Sequence, residues 1–253
     1  HENLQASPLD RKHDKAHDVL RKDVSKELKE SIKKGEVSGV LAAPECKTWC
    51  KYVALNRSKT GATRTAERPD GTSRRTKAEQ EANRLANLIA ELGELCIQYN
   101  VPFVLEQPEG SLMLKYKPIK KLLRRMKMRK IDMCQYGSKH RKRHVLISYK
   151  LEIDGLCKLC IPKERKHEHV PIEGSHTKPS EEYQPRFCKA LAKEFARAIN
   201  SQKKEVRFDE DKNEVYQSRG EKIDEYRKRI LKQVNNDDGE SDTEYCYTIR
   251  ENK

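Results

Sequence analysis

Two short apolar runs, residues 37–43 and 101–105, each stop at a proline-bearing polar motif, and one long helical period lies between them. Their length and flanking breakers mark them as strands buried on both faces. A strand, a crossover helix and a second strand make a unit whose strands lie parallel in one sheet. Their carboxyl ends then share one edge, where ligands bind in open α/β sheets. The first run ends in Pro44-Glu45-Cys46, followed by Trp49, the chain's single tryptophan; the second leads into Glu106-Gln107-Pro108. Cys46 is the candidate nucleophile, the alternative being a small buried core cysteine. Glu106, half-desolvated at a strand end, is expected to have a raised pKa suited to donating a proton near neutrality. Its alternative is a helix-cap or surface acid.

The remaining chain arranges itself around this pair. Residues 1–22 carry no defensible period and are expected to be an irregular lead-in. A helix is expected from Ser25, with Val24, Leu28 and Ile32 on one face and Gly35 as its stop. Residues 51–76 hold Arg57, Lys59, Arg64, Arg68, Arg74 and Arg75 among Gly, Thr, Ser and Pro, which predicts a long mobile loop closing on a phosphate backbone. The helix over 78–96 follows. Residues 115–130 are dense in cations, with Lys120, Lys121, Arg124 and Arg125 as candidate nucleic-acid contacts or simply a solvated helix face. Strands are expected at 131–134 and 145–148, and an amphipathic helix over 185–199 that docks back on the sheet. One domain is thus expected over 23–200, with a small insert at 149–180. A charged tail over 201–253 is expected to be largely disordered, with one short helix near 223–234 and disorder over 235–243.

A formal net charge of +14 on 253 residues favours a polyanionic partner, nucleic acid being the commonest, and charge alone does not separate DNA from RNA. Apolar residues make up 35% and charged residues 37%, which limits the core to one compact domain with polar ends. No apolar stretch approaches the ~20 residues of a membrane span. Most of the eight cysteines are scattered, which fits a reducing intracellular compartment, the nucleus in a eukaryote. Cys157-x-x-Cys160 and His167-x-His169 are ligand types that zinc accepts, read as a small knuckle or as two core cysteines beside an exposed turn.

Pro44-Glu45-Cys46 with Trp49, then Leu105-Glu106-Gln107-Pro108, then Tyr136-Gly137 leading to Lys139-x-Arg141-x-Arg143, stand in the order of the motif series of cytosine-5 DNA methyltransferases. Residues 18–148 resemble that family. Its own wording is Pro-Pro-Cys-Gln, Glu-Asn-Val and Gln-x-Arg-x-Arg, from which Glu45, Lys47, Gln107-Pro108 and Lys139 depart. The layout also resembles methyltransferase-like domains carried on mobile elements.

The resemblance implies an α/β fold with a Rossmann-like methyltransferase sheet, N-terminally incomplete, and a helical and disordered C-terminal extension. It implies a flipped cytosine attacked at carbon 6 by a Cys46 thiolate, which splits one difficult step into two. Glu106 would hold and protonate the ring nitrogen, and Arg141 and Arg143 would stabilise the base and the thiolate. Electropositive surroundings are expected to lower the thiol's pKa. S-adenosylmethionine is the implied methyl donor, yet residues 1–40 show neither a glycine-rich turn nor the acid that the family places after its second strand. That half is expected from an upstream segment or a second chain. If it is lost, the chain is a nucleic-acid-binding module, and an RNA-directed methyltransferase is a further alternative.

Overall fold

The computed structural model describes residues 4–11, 14–163, 167–172, 182–207 and 245–251. Its strands are β1 (Leu4–Pro8), β2 (Gly39–Ala43), β3 (Phe103–Pro108), β4 (Lys127–Asp132), β5 (Arg143–Tyr149) and β6 (Tyr245–Glu251). Its α-helices are α1 (Lys22–Lys33), α2 (Lys51–Leu55), α3 (Arg57–Thr60), α4 (Lys77–Gln98), α5 (Lys117–Leu123) and α6 (Pro185–Arg207). The strands form one mixed sheet in the order β1-β6-β2-β3-β5-β4. β2 and β3 are parallel, with Val40 opposite Phe103 and Ala42 opposite Leu105. The other neighbours pair antiparallel. The protein is therefore an α/β structure with a mixed sheet.

Alternation along the strands divides the interior into two cores. Val40, Ala42, Phe103, Leu105, Val145 and Ile147 face α1, α4 and α5, packing on Ile32, Ile89 and Leu122. Val104 and Leu146 face the opposite side, where α6 lays Phe187, Leu191, Phe195 and Ile199 against them. The expected docking of this last helix is thus observed, although the helix runs on to Arg207.

The crossover helix α4 starts at a capping box: Thr76 accepts from the Glu79 N–H, and Glu79 accepts from the Thr76 N–H. Near its other end Gly93 lets α5 approach. A Cβ there would stand 2.6 Å from Leu122 Cδ2.

Several local expectations are corrected. The stretch 1–22 contains β1 and a single 3-10 turn at Lys15–His17. β1 is stabilised by pairing with β6, more than 200 positions away, so no local period announces it. The same pairing places an ordered strand in the tail expected to be disordered; the helix near 223–234 and the disorder over 235–243 lie outside the described residues. α1 begins at Lys22 after Arg21, with Ser25 inside the helix, its hydroxyl donating to the Lys22 carbonyl. The strand expected at 131–134 ends at Asp132, and Met133–Tyr136 turn as a 3-10 segment.

Candidate active site

The ends of β2 and β3 are joined by a side chain on the α4 face. Gln107, fully buried, donates from Nε2 to the Pro44 carbonyl at 2.8 Å, and its Oε1 accepts from Ser111 Oγ at 2.8 Å. The loop after Pro44 then tightens into a 3-10 turn, with the Trp49 N–H donating to the Cys46 carbonyl. Trp49 is buried, with the Arg64 guanidinium 3.4 Å above its ring and Tyr116 on its flank. Cys46 stays half-buried between these two anchors.

Glu106 lies inside β3 and points to the α6 face, as Val104 does. His144 of β5 is its diagonal neighbour across the antiparallel pair, since Glu106 is opposite Leu146. His144 Nδ1 and the Tyr183 hydroxyl both bond the Glu106 carboxylate. Burial works to raise its pKa, but the charge and bond of His144, the Tyr183 hydroxyl and the charge of Lys142 outweigh it, and the pKa is lowered. The expected raised acid is therefore corrected: at rest Glu106 is an acceptor. Neither His144 nor Tyr183 was singled out in the sequence. Their relation to Glu106 arises from strand register and from the start of α6, which no local pattern encodes.

The thiol expectation is also corrected. Burial pushes Cys46 up to about 11, with Glu106 and Cys50 adding to it and Lys142 working against it. Arg143 grips Asp132 through two bonds of 2.7 Å, and Arg141 lies 3.7 Å from the same carboxylate. Asp132 is fully buried, so the two arginines expected at the base and thiolate spend their charge there. Lys142, between them, is the cation felt by both Cys46 and Glu106. The sequence signal for this is an aspartate that ends a cation-rich strand directly before the turn.

The basic stretch 51–76 is not one long loop. It contains α2 and α3 and then folds around Arg64, which is 1% exposed. Arg64 donates to the Asn83 side chain at 2.8 Å and to the Glu79 carbonyl at 2.9 Å. Glu79 in turn accepts the Thr63 N–H at 2.8 Å and the Arg64 N–H at 3.2 Å. Arg64 is therefore removed from the set of phosphate contacts. Arg57 donates to the Arg64 carbonyl, and Arg75 to the Thr72 carbonyl. Lys59, Arg68 and Arg74 are exposed, as are Lys120, Lys121, Arg124 and Arg125; Arg125 pairs with Glu94.

Beside the Pro44 loop lies a cavity of about 310 Å³ between the sheet and α4. Ala42, Pro44 and Leu85 form part of its wall, and Asp10 and Asp18 supply carboxylates. Asp10, just past β1, is buried.

A second cluster lies past β4. Donor atoms of Cys134, Cys160, His167 and His169 all fall within 4.8 Å of one another, a set that could hold a metal ion. Cys157 is not among them: its thiol donates to the Ile153 carbonyl at 3.0 Å. The ligand set expected from Cys157, Cys160, His167 and His169 is corrected at that position. Asp132 accepts the Cys160 N–H at 2.8 Å and so holds Cys160 beside the Met133–Tyr136 segment that carries Cys134.

Comparison of the chain with family models, characterised proteins and solved structures returned no match. Among the described residues no helix is long and apolar enough to cross a membrane.

Proposed function

We propose that the chain is a nucleic-acid protein of the cytosine-5 methyltransferase type, taking a flipped cytosine at the carboxyl ends of β2 and β3. The observation that supports this reading is the placement of Cys46 and Glu106 at the carboxyl ends of the parallel pair, where the Glu106 charge and the Lys142 cation both act on the Cys46 thiol. The finer fold, a Rossmann-like methyltransferase sheet, belongs to the same proposal.

In this reading Cys46 Sγ forms a bond to carbon 6 of the ring after its proton passes to solvent. Glu106, ionised at rest, accepts the exocyclic amino N–H of cytosine. Ring protonation requires the carboxyl to gain a proton, and His144 is the ring donor in contact with it. The carboxyl takes that proton from solvent and passes it to the ring nitrogen. Lys142 offsets the negative charge developing between thiol and base.

S-adenosylmethionine would supply an electrophilic methyl group. The cavity beside Pro44 suits such a group in type, with an apolar wall for a nucleoside ring and the Asp10 and Asp18 carboxylates for ribose hydroxyls. The exposed Lys120, Lys121 and Arg124 suit a phosphate backbone.

A second reading is a binding module that has lost catalysis. The Cys46 thiol held up to about 11 and the engagement of Arg143 by Asp132 favour it. Duplex DNA carrying 5-fluorocytosine, with labelled S-adenosylmethionine, separates the two. The catalytic reading expects a covalent adduct mapped to Cys46 and absent from Cys46→Ser. Salt-sensitive DNA binding with no adduct supports the module, and binding indifferent to salt removes the phosphate-contacting role from both.

A further inference from the structure

We infer that Cys134, Cys160, His167 and His169 form a structural zinc site that fastens residues 157–163 and 167–170 to the end of β4. The inference stands independently of the proposed function.

The three spacings among Cys160, His167 and His169 are close to those a tetrahedral ion imposes. Cys160 Sγ lies 3.7 Å from His167 Nε2 and 3.6 Å from His169 Nε2, and the two imidazole nitrogens are 3.1 Å apart. With zinc–sulfur bonds of about 2.3 Å and zinc–nitrogen bonds of about 2.05 Å, a tetrahedron has S···N edges of about 3.6 Å and N···N edges of about 3.3 Å. Cys134 Sγ completes the set, all four donors lying within 4.8 Å. A cation at the centre of the set would contact all four donor atoms at once.

The donor set also selects the ion. Two thiolates and two neutral imidazoles balance a dication, and soft sulfur with borderline nitrogen suits zinc rather than magnesium or calcium. On binding, each thiol releases its proton to solvent, two protons per zinc.

The surroundings are those of a built site. The Cys160 N–H is held by buried Asp132, whose N–H donates to the Lys158 carbonyl at 3.0 Å. Beyond the ligands, the Val170 N–H donates to the Lys139 carbonyl at 2.9 Å, and His140 Nδ1 bonds the Val170 carbonyl at 2.9 Å. Val170 thus docks on Lys139 and His140, in the stretch that leads to Lys142 and His144. Zinc would close a loop from Cys134 to His169 and hold that basic segment in register with β5. The role is structural, because all four positions are filled by protein.

The full chain, purified without chelator, should carry one equivalent of zinc by elemental analysis. Cobalt added to the stripped protein should give tetrahedral d–d bands with thiolate-to-cobalt charge transfer. Cys134→Ser should lower that charge-transfer band by about half, one thiolate of two being lost, while Cys157→Ser leaves it unchanged. Circular dichroism of each variant reports folding separately, and His169→Ala provides a second ligand variant that spares both thiols. The inference is overturned if the stripped, folded chain gives no tetrahedral cobalt spectrum, or if Cys157→Ser alters the spectrum and Cys134→Ser does not.

Discussion

Gln107 reaches from β3 to the carbonyl of Pro44, and this 2.8 Å bond is the direct tie between the strand carrying Glu106 and the loop carrying Cys46. Gln107→Leu keeps the volume but leaves a carbonyl and the Ser111 hydroxyl without their partner. A loss of ~1–3 kcal/mol is expected, read by urea denaturation. Faster proteolysis within 44–50 should accompany it; an unchanged midpoint and digestion pattern would show that the tie is not needed.

Arg64 is the keystone of the 51–76 stretch. Arg64→Ala removes the cation stacked on Trp49 and leaves Glu79 buried without its counter-ion. Breaking a buried pair in this way costs ~3–5 kcal/mol. Lysine lacks the planar fork that reaches Asn83 and stacks on indole, so Arg64→Lys should recover little of the loss. Recovery to wild-type stability in the lysine variant would contradict the role assigned to the fork.

Glu106 predicts an acid-sensitive fold. Its pKa lies below the ordinary 4.5, so the folded state favours the ionised carboxyl more than the unfolded chain does. The stabilisation is fully present above the ordinary value and is lost as the pH falls through the lowered one. Glu106→Gln should therefore be less stable than wild type at neutral pH, and the gap should narrow on acidification. Parallel stability curves for the two proteins would refute this.

Cys46 should alkylate slowly. A thiol pushed up to about 11 is almost wholly protonated at pH 7.5, and its rate with iodoacetamide should rise about tenfold per pH unit through the neutral range. Lys142→Ala removes the cation that works in the opposite direction, so the variant should react more slowly still. Mass-spectrometric mapping identifies the site, and a rate flat from pH 7 to 9 would contradict the burial effect.

Gly93 predicts a substitution that runs against helix propensity. Alanine gains about 1 kcal/mol in a helix interior, yet its Cβ would stand 2.6 Å from Leu122 Cδ2 in a packed core. Overpacking costs ~1–3 kcal/mol. Gly93→Ala should lower the melting temperature, and adding Leu122→Val should restore part of it. A stabilised Gly93→Ala would mean that α5 gives way freely.

What the sequence determined by itself was the set of elements with a strong local signal. Apolar period and breakers placed α4, β2 and α6, and the strand–helix–strand order set β2 and β3 parallel with Cys46 and Glu106 at neighbouring ends. The tertiary structure alone decided what those residues meet. β1 exists because β6 pairs with it from the far end of the chain. Arg143 serves Asp132, Cys134 replaces Cys157 beside the two histidines, and His144 and Tyr183 converge on Glu106. The physical reason is range: a helix or strand is chosen by neighbours within a few residues, whereas a pKa, an ion pair or a metal site depends on ångström-scale distances between groups tens of residues apart. The Pro44-Glu45-Cys46 motif announces a thiol at a strand end, and its burial and neighbours alone set that thiol near 11.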